Sequence, residues 1–315
     1  MDKAKQQKRN RIIALSFASI LLLAVYGPLA DWFVAADRVL YDQLAGGMPN
    51  QALDDTYIAS IDSSRASRSD VLNQYGQVLA VLQSSDVKRI ILANPPRFDS
   101  DGDLPAWTHL LRGPSPVYVP TRHEFAEFSS RDGFVSVRPD SDDVLRQSKL
   151  WQLNDGVMSP SLPLAVDFDS AQTSAGSLLS SSDDVIFFSS YVDLPRIDVD
   201  KLLTSVSNTT LAGATVFVDA DTPFVDAAAM LPSGQLVTVS EITATLLADV
   251  EFDRTIGTPQ SVKAMMYLIP AMLAIVGVLF LPDRNRRDIA VLTLSVVAVL
   301  LLVEAIMLFG LARVA

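Results

Sequence analysis

Three long apolar runs set the limits on this chain. Ile12 to Ala30 and Ala264 to Pro282 hold no charge, and Ile289 to Ala312 holds only Glu304. At 1.5 Å of rise per residue, about 20 apolar residues cross a ~30 Å hydrocarbon core. Each run therefore predicts a transmembrane helix. Residues 1–11 remain as a tail, 283–288 as a short turn, and 31–263 as the one stretch long enough to build a folded core.

Basic residues orient the spans. Lys3, Lys5, Lys8, Arg9 and Arg11 precede the first, and Arg284, Arg286 and Arg287 lie between the second and third. Both flanks are expected to be cytoplasmic. The 31–263 domain and the C-terminus at Ala315 are then extracytoplasmic. A cleaved signal peptide would share the basic start and could use Val34-Ala35-Ala36. The length of the run and the interface-type residues Trp32 and Phe33 favour an uncleaved helix.

Composition excludes several functions. The chain carries 25 basic and 36 acidic residues, net −11, so no basic face is expected for nucleic acid. The basic clusters at the tail and the turn leave the outer domain more acidic still. With no cysteine there is no disulfide framework, thiolate metal site or Cys nucleophile. His109 and His123 lack ligand spacing and read as structural residues. Gly-x-Ser-x-Gly, Gly-x-Gly-x-x-Gly, Walker A and His-Glu-x-x-His patterns are absent. Asp99-Ser100-Asp101-Gly102-Asp103 places its Gly fourth and Leu110 twelfth, so it reads as a solvated acidic turn rather than a calcium loop. No cofactor is implied, and an enzyme is the weakest class, because no nucleophile–base pair or metal set is visible.

Within the outer domain, strand-length apolar runs alternate with helical spacing. Tyr57–Ile61, ending at Asp62, reads as a strand, and Val71, Leu72, Tyr75, Val78, Leu79 and Leu82 as a helix. Strands follow at Arg89–Ala93 and Val117–Val119, with a short helix at Trp107–Leu111 between them. Phe134, Val135 and Val137, the Asp-rich turn of Asp140, Asp142 and Asp143, and Val144–Leu153 predict an antiparallel hairpin or meander. Ser159-Pro160-Ser161 opens a short helix, and Ser170–Asp184 is a Ser-rich loop. Val185–Ser189 is a strand, Asp200–Val206 a helix, Ala214–Val218 a strand ending at Asp219, and Val237–Val250 a last helix. The expected fold is α/β: a mixed, largely parallel sheet with helices on both faces.

In such sheets ligands bind beyond the carboxyl ends of the strands. Asp62, Ser63, Asn94, Asp219 and Asp221 fall at such ends. If they converge, the crevice suits a cation, an amine or a donor-rich small molecule of otherwise open identity. The competing expectation is that they cap helices or tie loops. Glu304, past the middle of the third span, is costly in lipid unless neutral, paired or facing a partner helix.

The order of these segments resembles the type-two CHASE sensory domain, the extracytoplasmic input domain of bacterial transmembrane receptors. The resemblance is carried by Asp37-Arg38-Val39-Leu40-Tyr41-Asp42 after the first span, Ile58 to Asp62, and Pro160-Ser161-Leu162. It continues in Leu211-Ala212-Gly213-Ala214-Thr215-Val216-Phe217-Val218 and Leu231-Pro232-Ser233-Gly234. Ala214 and Asp219 stand where the family has Lys and Gly. The resemblance implies a bacterial inner-membrane protein with its main domain periplasmic or extracellular and its N-terminus cytoplasmic. It also implies a sensory role and a homodimer. Family receptors usually carry three later spans and an effector. With two spans here, output is expected through a membrane or signalling protein in trans. The alternative is an envelope scaffold or assembly factor that binds a protein partner without signalling.

Overall fold

The computed structural model describes residues 53–257 apart from 63–66, 97–104, 130, 138, 155–156, 171–184, 188–191, 205–210, 222–228, 232–233 and 253–255, together with scattered positions outside that range. The chain forms two compact units, Ala45–Gly257 and a second made of Met1–Leu44 with Thr258–Ala315. Among the described residues no helix is long and apolar enough to cross a membrane. The three expected spans lie almost wholly outside the described residues, as do Ser63, Glu304 and the Asp99–Asp103 turn.

Ala45–Gly257 is an α/β unit built on a six-stranded, all-parallel sheet. Its strands are β1 (Thr56–Asp62), β2 (Arg89–Ile91), β3 (Val117–Pro120), β4 (Arg131–Gly133), β9 (Arg196–Asp198) and β10 (Thr215–Asp221), in the order β4-β3-β2-β10-β1-β9. Central strands of a parallel sheet are covered on both faces, which is why they read as unbroken apolar runs. In β10, Val216, Val218 and Ala220 enter one core and Phe217 the other. The edge strands β9 and β4 carry polar, part-exposed residues, as edges open to solvent do. On β3, Tyr118 pairs with Arg131 in register, and the guanidinium sits 5.8 Å from the ring centroid.

The helix α1 (Arg68–Ser84) follows β1. Ser67 caps it in a reciprocal box with Asp70, and the hydrogen bonds from Ser67 hold the Asp70 carboxyl below its ordinary value. Val71, Tyr75, Val78, Leu79 and Leu82 lie on one side, and all are buried against Ala59, Ile61, Val216 and Val218. A 3₁₀ turn at Ala106–Arg112 and a second at Glu124–Glu127 complete this face. His123 caps the latter, its Nδ1 accepting from the Phe125 N–H at 3.2 Å, while exposed His109 bonds its own turn.

The other face is covered by α2 (Leu162–Ser170) and α4 (Val239–Glu251), while α3 (Val199–Thr204) lies on the α1 side. Every residue of α4 from Val239 to Val250 is buried. Its threonines allow this by donating back along the helix, Thr243 to Val239 O at 2.7 Å and Thr245 to Glu241 O at 2.8 Å. Thr238 and Glu241 form its capping box, and Arg196 bonds Glu241 at 2.8 Å.

The middle of the chain departs from the expected hairpin across Asp140–Asp143. Phe134 instead bridges Ser161 in parallel. Strand β5 (Gln147–Lys149) pairs antiparallel with β8 (Val185–Phe187), which also pairs with β13 (Ile256–Gly257). The hairpin lies further on, between β6 (Trp151–Asn154) and β7 (Val157–Pro160). Strands β11 (Ala229–Met230) and β12 (Leu236–Val237) form one more pair. The acidic turn has another role. Arg146 is buried and donates to Asp140 at 3.0 Å and to Asp142 through two bonds of 2.8 Å. Those bonds pull Asp142 down to about 2.

Candidate functional site

The sheet order creates a switch point. From β1 the chain crosses to α1 on one face, and from β2 to the Ala106–Arg112 turn on the same face. From β10, which lies between β1 and β2, it leads to α4 on the opposite face. Adjacent parallel strands whose outgoing connections part in this way leave a crevice at their carboxyl ends. Here that edge is formed by β1, β10 and β2.

The register places the candidate residues on this edge. Ser60 pairs with Asp219, and Asp62 with Asp221. On the other side of β10, Phe217 pairs with Ile91, so Asn94 follows the end of β2 three residues on. Asp62, Asn94, Asp219 and Asp221 thus sit at the ends of three neighbouring strands, and Ser63 lies outside the described residues. One expectation changes. Strand β10 does not end at Asp219 but continues to Asp221, so Asp219 lies within the strand. It is 2% exposed, and its Oδ1 accepts from the Ala220 N–H at 3.0 Å.

A further residue belongs to this edge. Tyr75 is 0% exposed, and its hydroxyl has no hydrogen-bond partner among the described residues. Burial pushes the phenol well above its ordinary value, and the negative charge of Asp219 pushes it the same way. Alternation along β10 puts Asp219 on the Phe217 side of the sheet, so the charge acts across the sheet edge without a hydrogen bond. Sequence reading assigns Tyr75 only to the apolar stripe of α1. Its polar tip becomes informative once β10 is known to lie beside β1.

Chemically, a carboxylate held out of water at a strand end attracts a cation or a hydrogen-bond donor. Among the described residues no three His, Asp or Glu side chains gather as a metal site. No protein-family model matches the chain, and no match to it is found among curated proteins or solved structures.

Proposed function

We propose that this chain is a membrane-anchored extracytoplasmic sensor module. Its α/β unit recognises a signal at the carboxyl edge formed by β1, β10 and β2. It passes the resulting state through the flanking apolar segments to a membrane or signalling protein in trans. The observation that carries this reading is the partition of the chain. Ala45–Gly257 closes on itself, whereas Met1–Leu44 and Thr258–Ala315, which hold the three apolar runs, cluster as one unit. A recognition domain inserted between membrane segments has both of its ends tied to helices that a partner can sense. The resemblance to the type-two CHASE sensory domain supports the same role. So does the acidic edge, with Asp62, Ser63, Asn94, Asp219 and Asp221 as ligand residues for a small cationic or donor-rich molecule. Glu304 is assigned to contact with a partner helix, the function to recognition rather than catalysis, and the site to a bacterial inner membrane with the N-terminus inside.

The test is a photo-crosslinking residue at position 304 of the full chain, read in cells together with fluorescent reporters at Arg286 and Ala315. The reading expects fluorescence from a cytoplasmic reporter at Arg286 and none at Ala315, with crosslinks to a membrane protein that bears a cytoplasmic effector. Fluorescence at Ala315 overturns the topology. Crosslinks confined to cell-wall or periplasmic assembly proteins replace sensing with the scaffold role.

A further inference from the structure

The opposite edge of the sheet holds a second polar arrangement. Thr56, the first residue of β1, pairs with Thr215, the first of β10, and Thr215 pairs on its other side with Arg89, the first of β2. The Arg89 Nε donates to Thr215 Oγ1 at 2.8 Å, and its Nη2 donates to Glu251 Oε1. Glu251 is the last residue of α4. The Thr215 N–H also donates to Asp55 O at 2.8 Å, just before β1. A continuous path therefore runs from the incoming chain at Asp55, through β10 and β2, to the outgoing end of α4.

Local preferences do not account for this path. Removing a guanidinium from water costs several kcal/mol, and the Arg89 side chain is 5% exposed. An acidic residue at a helix C-terminus opposes the helix dipole, and the last turn of α4 holds no basic residue. Ion pairs in such places are best attested as devices that fix a register or throw a switch.

We propose that Arg89, Thr215 and Glu251 form a latch that holds the end of α4 to the start of β1, fixing the spacing between these two points, and that opening of this latch is the step that frees them from each other. This does not rest on the sensor reading, since latch and measurement both lie within Ala45–Gly257.

Because the chain has no cysteine, Asp54→Cys with Phe252→Cys gives one uniquely labelled pair in the full chain, at two exposed positions. Electron–electron distance measurement between nitroxides there is expected to give a narrow distribution with the latch intact. Arg89→Met is expected to broaden it about twofold, the signature of local opening. Glu251→Gln, which keeps an acceptor for Arg89, is expected to broaden it less. A control pair on the exposed side of α1, Asn73→Cys with Ala80→Cys, should not change. An Arg89→Met distribution as narrow as the parent's, with the control unchanged, overturns the latch. If Arg89→Met disturbs the control pair as well, Glu251→Gln decides: broadening supports the latch and parental width overturns it.

Discussion

The two faces of the parallel sheet are covered in different ways. On one, α1 is a single layer: its inner stripe is buried, and Asn73 and Ala80 on its back are exposed. On the other, α4 is itself covered. Val239, Ala244, Leu247 and Ala248 pack inward on Ile58, Ile91 and Phe217, while Ile242, Leu246 and Val250 pack outward on Leu145, Leu150, Trp151, Ala229 and Leu231. A parallel sheet requires both faces shielded, but nothing requires the shield to be the outermost layer. Where a second cover is added, apolar surface reappears at its rim. The large apolar residues exposed among the described part of this unit, Leu153, Val157, Met158, Leu236 and Phe252, lie on the short strands of that second cover or at the end of α4.

The strongest way to break this contrast is to mutate the two helix backs. Leu246→Ala leaves a cavity between α4 and the small strands and should cost about 2–5 kcal/mol. Ala80→Lys, on the back of α1, should stay within about 0.5 kcal/mol. Denaturant unfolding followed by tryptophan emission reads both. A Leu246→Ala cost no larger than that of Ala80→Lys would mean that α4 is an outer helix after all.

On the α1 face the contact that fixes the helix is glycine against an indole. A Cβ added at Gly76 would overlap Cδ1 and Cγ of the Trp107 ring. The ring cannot easily yield, since its other contacts include Phe125 edge-on at 5.1 Å. Gly76→Ala gains about 1 kcal/mol of helix propensity but overpacks, for a net loss of about 1–2 kcal/mol. In a Trp107→Ala background the same change should become stabilising. A double-mutant cycle that shows no change of sign removes the indole as the cause.

Sequence reading succeeded where one element carries its own signal. The helical spacing of Val71, Tyr75, Val78, Leu79 and Leu82 marks α1, and the runs around Ile58, Ile90 and Val216 mark three central strands. It failed where the signal lies in a partner. Strand β9 has one apolar residue, Ile197, and exists because β1 offers it an edge. Strand β5 pairs with β8, far along the chain, so no local turn announces it. The β6–β7 hairpin did have a local mark, the Asp155-Gly156 pair, which apolar periodicity passes over. The candidate site divides in the same way. Its acidic residues stand out at strand ends, but that Asp62 lies opposite Asp221 and Ser60 opposite Asp219 is a property of pairing across the domain. Asp219 looked like a terminator because aspartate is poor in strands. The β1 register overrides that preference.

The smallest expected effect tests that edge directly. A buried hydroxyl without a partner costs roughly 1–3 kcal/mol, and that of Tyr75 has none among the described residues, so Tyr75→Phe should raise stability, by about 1 kcal/mol once lost packing is counted. The pH dependence sharpens the test. The folded-state phenol is raised above its ordinary 10.0, so its share of stability is fully present below that pH. It is lost as pH rises beyond 10, because the unfolded chain ionises while the folded one resists. Parent and Tyr75→Phe should therefore keep a constant offset below pH 10 and diverge above it, the parent falling faster in denaturant titrations. A Tyr75→Phe variant that is less stable than the parent at neutral pH would mean that the hydroxyl is bonded in solution. A molecule at the carboxyl edge beside Asp219 would then be the first group to seek.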